Sequence, residues 1–490
     1  MSSVRALWAA AIVFATLGTW LLFDASIGLN WSLVSLLSAL GLGLFLRLGG
    51  NGPAPAVAGL LAGVVLAGGV AAVTTSSVFH AGVALADLTL LSAALLLSTA
   101  RELPFLVRIP VVAARHSLVE GVRRCWALLD SVTAVRHRAA VRGSVVAGGV
   151  VVVFGWLLAG ADPVLAAIRD TLLETLERVD LVTRLAFFVV LAVGSLGGFG
   201  LALREARAVP QAPTRPAPRA LATDTERLIV LTAVVGLFAA FLLLQLSYLF
   251  GNPPALAGSG ITFAEYARRG FGELTVVVTL ATLLVLALDR HALRGPLDRR
   301  VHLLELALVF ELELLLVSAF RRVWLYEMAY GFTTARLYAQ TYMIALAPLL
   351  VLLARDALRG RHDARRLARR AGVAALLAFL VLAYGNHEAW IAQWNLARHR
   401  ATGQLDVPYL VWSLSLDGVP VLVRALETLP PKEREELRQR LHERYGGEKG
   451  PKACRWFEWK WRAGRAAAAL ESAALVAPLP PHAPPGCVTF

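Results

Sequence analysis

Three glutamates, Glu305, Glu311 and Glu313, fall in or beside an otherwise apolar run, Leu303 to Phe320, long enough to be read as a helix through a bilayer. A carboxylate in hydrocarbon costs about 2.5–3.5 kcal/mol to insert, so it faces a partner, a bundle interior or a wet cavity. At about 100° per residue, His302, Glu305 and Glu313 lie within about 80° of one another, and Glu311 lies nearly opposite. Glu311 shares its face with Ser318 and Arg322, but about 16 Å along the axis separates Glu311 from Arg322, too far for a direct pair. Two chemistries fit these acids. Glu311 or Glu313 binds a cation, a proton or a polar headgroup, or the acids pair with arginines of other helices; Glu305 also suits the interface. Asp87, in the run Ala81 to Ala100, is a further intramembrane candidate.

Three polar clusters border apolar runs and are expected on one side of the membrane. They are Glu265, Tyr266, Arg268, Arg269 and Glu273 in ITFAEYARRGFGE; Arg321, Arg322, Tyr326, Glu327 and Tyr330; and Asn386, Glu388, Asn395 and Arg398 in NHEAWIAQWNLAR. Brought together they form a cationic and aromatic rim able to hold a phosphate or carboxylate by charge-assisted hydrogen bonds. Interfacial anchoring explains each cluster taken alone. No Ser/His/Asp or HExxH arrangement is present, and His387 and Glu388, adjacent on a helix, point apart, so no catalytic residue is assigned and an enzyme is the weaker expectation. The three cysteines, Cys125, Cys454 and Cys487, have no CxxC or metal-ligand spacing, and neither a metal nor a cofactor is expected. Cys454 and Cys487 share the expected oxidising side and are a candidate disulfide.

The elements that must position these residues are membrane helices. Of 490 residues 57% are hydrophobic and 17% charged, with a mean hydropathy of +0.63, values that exclude an ordinary water-soluble domain. Apolar runs occur at Leu7 to Phe23, Trp31 to Leu46, Ala56 to Val73, Ala81 to Ala100, Ser144 to Ala159, Leu181 to Leu203, Leu228 to Phe250, Leu274 to Leu288, Leu303 to Phe320, Ala339 to Leu353 and Val373 to Tyr384. They predict an all-α polytopic protein of about eleven transmembrane helices. The net charge of +14 comes mainly from arginines between these runs, the pattern of a protein against anionic lipid headgroups rather than nucleic acid.

Counting arginines on alternate sides gives 26 on the side of Arg5 against seven on the other. That bias predicts a cytoplasmic N-terminus and, for an odd number of spans, an outer C-terminal region. The domain reading is a first membrane half over 1–205, with a basic interfacial segment at 101–142; a Pro-rich linker over 206–225; a second half over 226–385; and a helical extramembrane domain over 386–490. A short amphipathic helix is expected from Asp162 to Asp180. The glycines of LAVGSLGGFG read as close helix packing, because no strand precedes them and no Lys follows.

Several stretches carry a resemblance together: QLSYLFGN, ITFAEYARRGFGEL, SAFRRVWLYEMAYGFTTARL, YGNHEAWIAQWNLARHRATGQLDVPYLVWSLSLDGVPVLV and CRWFEWKWRAGRA. They resemble the bacterial membrane proteins grouped as domain of unknown function 4173, with its relative 4153, most clearly over Leu228 to Leu426. Where that family reads Asn-Pro-Asp, Asn386 is followed here by His387 and Glu388. The resemblance implies a multi-pass cell-membrane protein with a domain after the last span, and no activity. The expected function is binding of an envelope lipid or protein partner through the outer rim. A proton- or cation-coupled transporter using the intramembrane glutamates, or a membrane transferase on lipid-linked substrates, are the alternatives.

Overall fold

A computed structural model describes residues 2–50, 52–98, 108–132, 180–205, 224–249, 271–290, 299–359, 364–447, 452–478 and 487–489. The chain is all-α. Its helices are α1 (Ser2–Leu22), α2 (Leu29–Leu48), α3 (Pro55–Gly69), α4 (Ser77–Ser98), α5 (Ile109–Val132), α6 (Asp180–Glu205), α7 (Asp224–Leu249), α8 (Phe271–Arg290), α9 (Arg299–Tyr330), α10 (Thr334–Leu358), α11 (Ala364–Gly385), α12 (His387–Thr402), α13 (Val407–Trp412), α14 (Val419–Ala425), α15 (Pro431–Tyr445) and α16 (Trp461–Ser472). Among the described residues the only sheet is a ribbon of β1 (Lys452–Ala453) and β2 (Val488–Thr489), antiparallel with Ala453 opposite Val488.

Eight of the described helices are long and apolar enough to cross a membrane: α1, α2, α3, α4, α6, α7, α10 and α11. Each of the other three runs counted in the sequence differs for its own reason. Ser144 to Ala159 lies outside the described residues, as do nearly all of Asp162 to Asp180 and most of the Pro-rich linker. The run at Leu274 gives only a short apolar helix, Leu274–Val285. α9 is long, 32 residues or about 48 Å, and it carries too many charges to be counted on composition. With a hydrocarbon core about 30 Å thick, both of its ends cannot be in lipid at once.

The chain divides into two compact units. The first comprises Met1–Val73, Ser77–Gln211 and Cys454–Trp461. In it Phe199 of α6 stacks on Phe45 at 5.2 Å and meets Phe14 edge-on at 5.9 Å. α5 crosses α6 where neither has bulk: a Cβ on Gly197 would fall 1.7 Å from Ser117 O, and one on Gly121 would fall 2.2 Å from Val193 O. Small residues here let two backbones touch. Residues 454–461 lie against the α1–α2 turn, with Leu29 N donating to Trp459 O and Ser26 N to Glu458 Oε1. Burial pushes the Glu458 carboxyl up, but bonds from Arg455 and from the Ser26 and Arg455 amides outweigh it and leave the group below its usual range.

The second unit comprises Thr74–Ser76, Ala212–Ala453 and Arg462–Phe490, and α9 is its hub, packed by α7, α8 and α10. Leu308, Leu312, Leu315, Ala319 and Val323, at helical spacing, form the fully buried seam. After α11 the helices shorten: α13 and α14 each have a proline in second place, Pro408 and Pro420, and Asp406 caps α13 by accepting from Tyr409 N. Cys454 and Cys487, beside the ribbon strands, are both disulfide-bonded, while Cys125 is free.

Candidate functional site

The best-built polar site lies in the second unit, where α9 ends. A helix leaves its last carbonyls without partners, and here α12 supplies them. Arg398 donates from Nε to Met328 O at 2.8 Å and from Nη2 to Ala329 O. The chain then reverses at Gly331, φ +90°, and a Cβ there would sit 2.4 Å from Asn395 Oδ1, so both the backbone angle and the space require glycine. The Asn395 amide accepts from Phe332 N at 2.9 Å and donates to Phe332 O at 2.8 Å, pairing with it as a strand would. Arg336, in the first turn of α10, donates to Gly331 O and lies 4.1 Å above the Tyr326 ring, which contacts Tyr330 at 4.9 Å. Glu327 is 1% exposed and accepts from Gln340 at 2.6 Å.

The last turns of α9 ahead of this fixed turn carry exposed side chains. Arg321 is exposed, and so are Trp324, three residues on and therefore its neighbour on the helix, and Tyr330, on the opposite face; each ring is about half exposed. Of the three expected rim clusters, the structure joins the second and third through Arg398 and Asn395. The first lies apart from what can be described: Glu265, Tyr266, Arg268 and Arg269 are outside the described residues, and Glu273 falls in the first turn of α8. Asn395 and Arg398, expected as ligand groups, spend their polar atoms on the turn.

Behind the turn, a buried network surrounds the α11–α12 junction. Asn386 adopts φ +59° and caps α12 by accepting from Ala389 N, while its amide donates to Asp417 O. His387 is 1% exposed, and burial lowers its pKa to about 4, so the neutral ring receives the Tyr338 hydroxyl at Nε2 and donates from Nδ1 to Leu382 O. Glu388 accepts from both the amide and the hydroxyl of Ser415 at 2.6 Å. Burial nevertheless raises its pKa to about 7, with the nearby Asp417 pushing the same way. Asp417 itself is saturated: Thr74 and Arg462 bond Oδ2, and the Thr75 amide and hydroxyl bond Oδ1.

The intramembrane candidates separate. Glu305 pairs with Arg227 at 2.9 Å, both fully buried. Glu311 is buried and Glu313 half-buried, and one carboxylate oxygen of each has no hydrogen-bond partner among the described residues. Asp87 belongs to the first unit, where Trp31 Nε1 and Ser35 Oγ donate to it. Sequence reading missed Ser415, Asp417, Thr74, Thr75 and Arg462. Thr74 and Asp417 are 343 positions apart, and no local spacing signals such a pair. Arg336 stands out in the sequence only as one more outer charge.

A family model described as Domain of unknown function (DUF4153) matches residues 56–425. The chain belongs to the DUF4153 family. The motif resemblance puts 4173 first and 4153 second, and the match corrects that order. The DUF4153 match also takes in α3 to α6, ahead of the region where the motifs are clearest. No curated protein and no solved structure matches the chain.

Proposed function

We propose that this DUF4153 protein is a multi-pass cell-membrane protein that binds an anionic lipid headgroup on the face of α9 that carries Arg321 and Trp324. The observation that carries this reading is the fixed turn that ends the helix carrying them. Four side-chain to backbone bonds from Asn395 and Arg398, together with Arg336 on Gly331 O, fix the end of α9. A platform with its conformational cost already met binds more tightly than a flexible one. An exposed guanidinium with a half-exposed indole three residues on suits a headgroup at the water interface. The arginine bias and the disulfide-bonded state of Cys454 and Cys487 support placing the N-terminus inside and the C-terminal region on the oxidising side.

The test is native mass spectrometry of the full chain extracted from membranes. Wild type is expected to retain anionic lipid, and Arg321→Gln with Trp324→Ala to lose most of it. Equal retention by the variant would refute the reading, and retention of a protein instead of a lipid would redirect it. A transporter reading has one observation of its own, the unpartnered oxygens of Glu311 and Glu313. It predicts that Glu311→Gln with Glu313→Gln abolishes proton-coupled uptake in vesicles, and unchanged uptake ends it.

A further inference from the structure

Another intramembrane acid lies in the first unit, apart from α9 and its glutamates. Asp87 stands at the middle of the spanning helix α4, ten residues after Ser77 and eleven before Ser98, about 15 Å from either end. It is 5% exposed. Oδ2 takes the Trp31 indole N–H at 2.9 Å and lies 2.5 Å from Ser35 Oγ, while Oδ1 has no hydrogen-bond partner. Backbone closes the cluster from above: Ser32 donates to Gly68 O at 2.7 Å, and a Cβ on Gly68 would fall 2.4 Å from Ser35 Oγ and 3.6 Å from Asp87 Oδ2.

A buried carboxyl in such a place pairs with a cation or takes up a proton. Among the described residues no charged side chain faces Asp87. α3 has no ionisable residue, and α2 has only Arg47, in its last turn, whereas Trp31 is in its first. On α4 itself the nearest is His80, two turns earlier. On α5 Arg115 and Arg123 are exposed, His116 bonds Val112 O, and Glu120 is spent on Arg123 and Arg124. α6 carries its ionisable residues near its two ends.

The hydrogens available to the cluster separate a charged acid from a neutral one. Ser35 Oγ has one hydrogen and two oxygens within reach, Asp87 Oδ2 at 2.5 Å and Trp31 O at 2.9 Å. Against a carboxylate that hydrogen goes to Asp87, and the contact with Trp31 O carries none. With a hydrogen on Oδ2, Asp87 donates to Ser35, Ser35 donates to Trp31 O, and the indole N–H still finds a lone pair on Oδ2. Oδ1 is then the carbonyl oxygen of a neutral acid, which tolerates a dry setting better than a share of a carboxylate charge does. We propose that Asp87 is a proton-binding site at the middle of the first unit's membrane region, occupied at neutral pH, with Ser35 and Trp31 as its positioning residues. Losing the proton leaves a lone carboxylate among α2, α3 and α4, so release requires water to enter or these helices to part. Proton release and the opening of this packing are thereby coupled.

Infrared difference spectroscopy of the full chain in phosphatidylcholine nanodiscs tests the site, with Asp87→Asn as the reference. Wild type minus variant at pH 7 is expected to show the carbonyl stretch of a protonated carboxyl, lowered in heavy water. Glu311→Gln with Glu313→Gln should leave that band in place, which separates the site from the transporter reading of α9. Trp31→Phe, measured against its own Asp87→Asn form, loses a donor that favours the charged acid. Its band should persist to higher pH by roughly one unit, about tenfold in proton affinity; a residue that only packs leaves the midpoint where it was. If Asp87→Asn does not fold, mapping of dicyclohexylcarbodiimide adducts, which form on protonated carboxyls, replaces the difference spectrum and is expected to mark Asp87 in wild type at pH 7. A carboxylate band from Asp87 at pH 7, no carbodiimide adduct there, or a protonated band that disappears when sodium chloride is added at constant pH, which would assign a metal cation instead, overturns the proposal.

Discussion

At the scale of single residues, the structure separates acids that hold the protein together from acids with spare capacity. Glu305 belongs to the first kind. Its pair with Arg227 is removed from water on both sides, and breaking such a pair leaves one buried charge alone, at a cost of about 3–5 kcal/mol. Glu305→Gln is therefore expected to lower the melting temperature sharply, and Arg227→Met with Glu305→Leu to recover much of the loss; a single variant as stable as wild type contradicts the assignment. Glu388 gives a prediction in pH. Its carboxyl, ordinarily near 4.5, is raised to about 7 by burial, so the folded chain binds the proton more tightly than the unfolded one. The stability it contributes is full below about pH 4.5 and declines up to about pH 7. The melting difference between Glu388→Gln and wild type should move in the variant's favour across that window and stay flat outside it. A difference constant from pH 4 to 8 would show that Glu388 is not held this way. His387 runs in the opposite direction, since its lowered pKa makes its contribution decline as pH falls from about 6.5 to about 4, and in wild type the two partly offset.

At the scale of elements, the helices were legible and their joints were not. Apolar runs of about twenty residues can only be helices in a bilayer, and eight of them appear where the composition places them. The close approach of α5 and α6 also follows from glycines, although the residues in contact are Gly197 and Gly121; Gly194, in the same stretch, has nothing within 4 Å of its Cβ position. The α9–α10 turn was not legible, because Asn395 and Arg398 are more than sixty residues from the backbone they hold. An asparagine that completes a turn and one that faces a ligand look the same in a sequence. Gly331→Ala tests the joint. It adds both an unfavourable φ and a clash with Asn395, so a loss of about 1–3 kcal/mol is expected, with faster amide exchange at Phe332. Exchange at Phe332 unchanged in the variant would mean that the turn does not depend on Asn395.

At the scale of the whole molecule, composition and charge establish an all-α membrane protein, and the family match adds membership of DUF4153 without an activity. The cysteines supply a test of the C-terminal region. In denatured wild type without reductant only Cys125 should react with a thiol reagent, and three cysteines should react after reduction; three reactive thiols from the start would contradict the disulfide. In the native chain burial raises the Cys125 thiol pKa, and labelling there should be slow. The central claim, that the fixed end of α9 holds an anionic headgroup, is tested most directly by photo-crosslinking. A phosphatidylglycerol carrying a diazirine in its headgroup is reconstituted with the full chain, and the labelled peptides are mapped. The account predicts labelling concentrated between Arg321 and Arg336 and suppressed by unlabelled phosphatidylglycerol but not by phosphatidylcholine. Labels spread evenly along the membrane helices and indifferent to either competitor would contradict it.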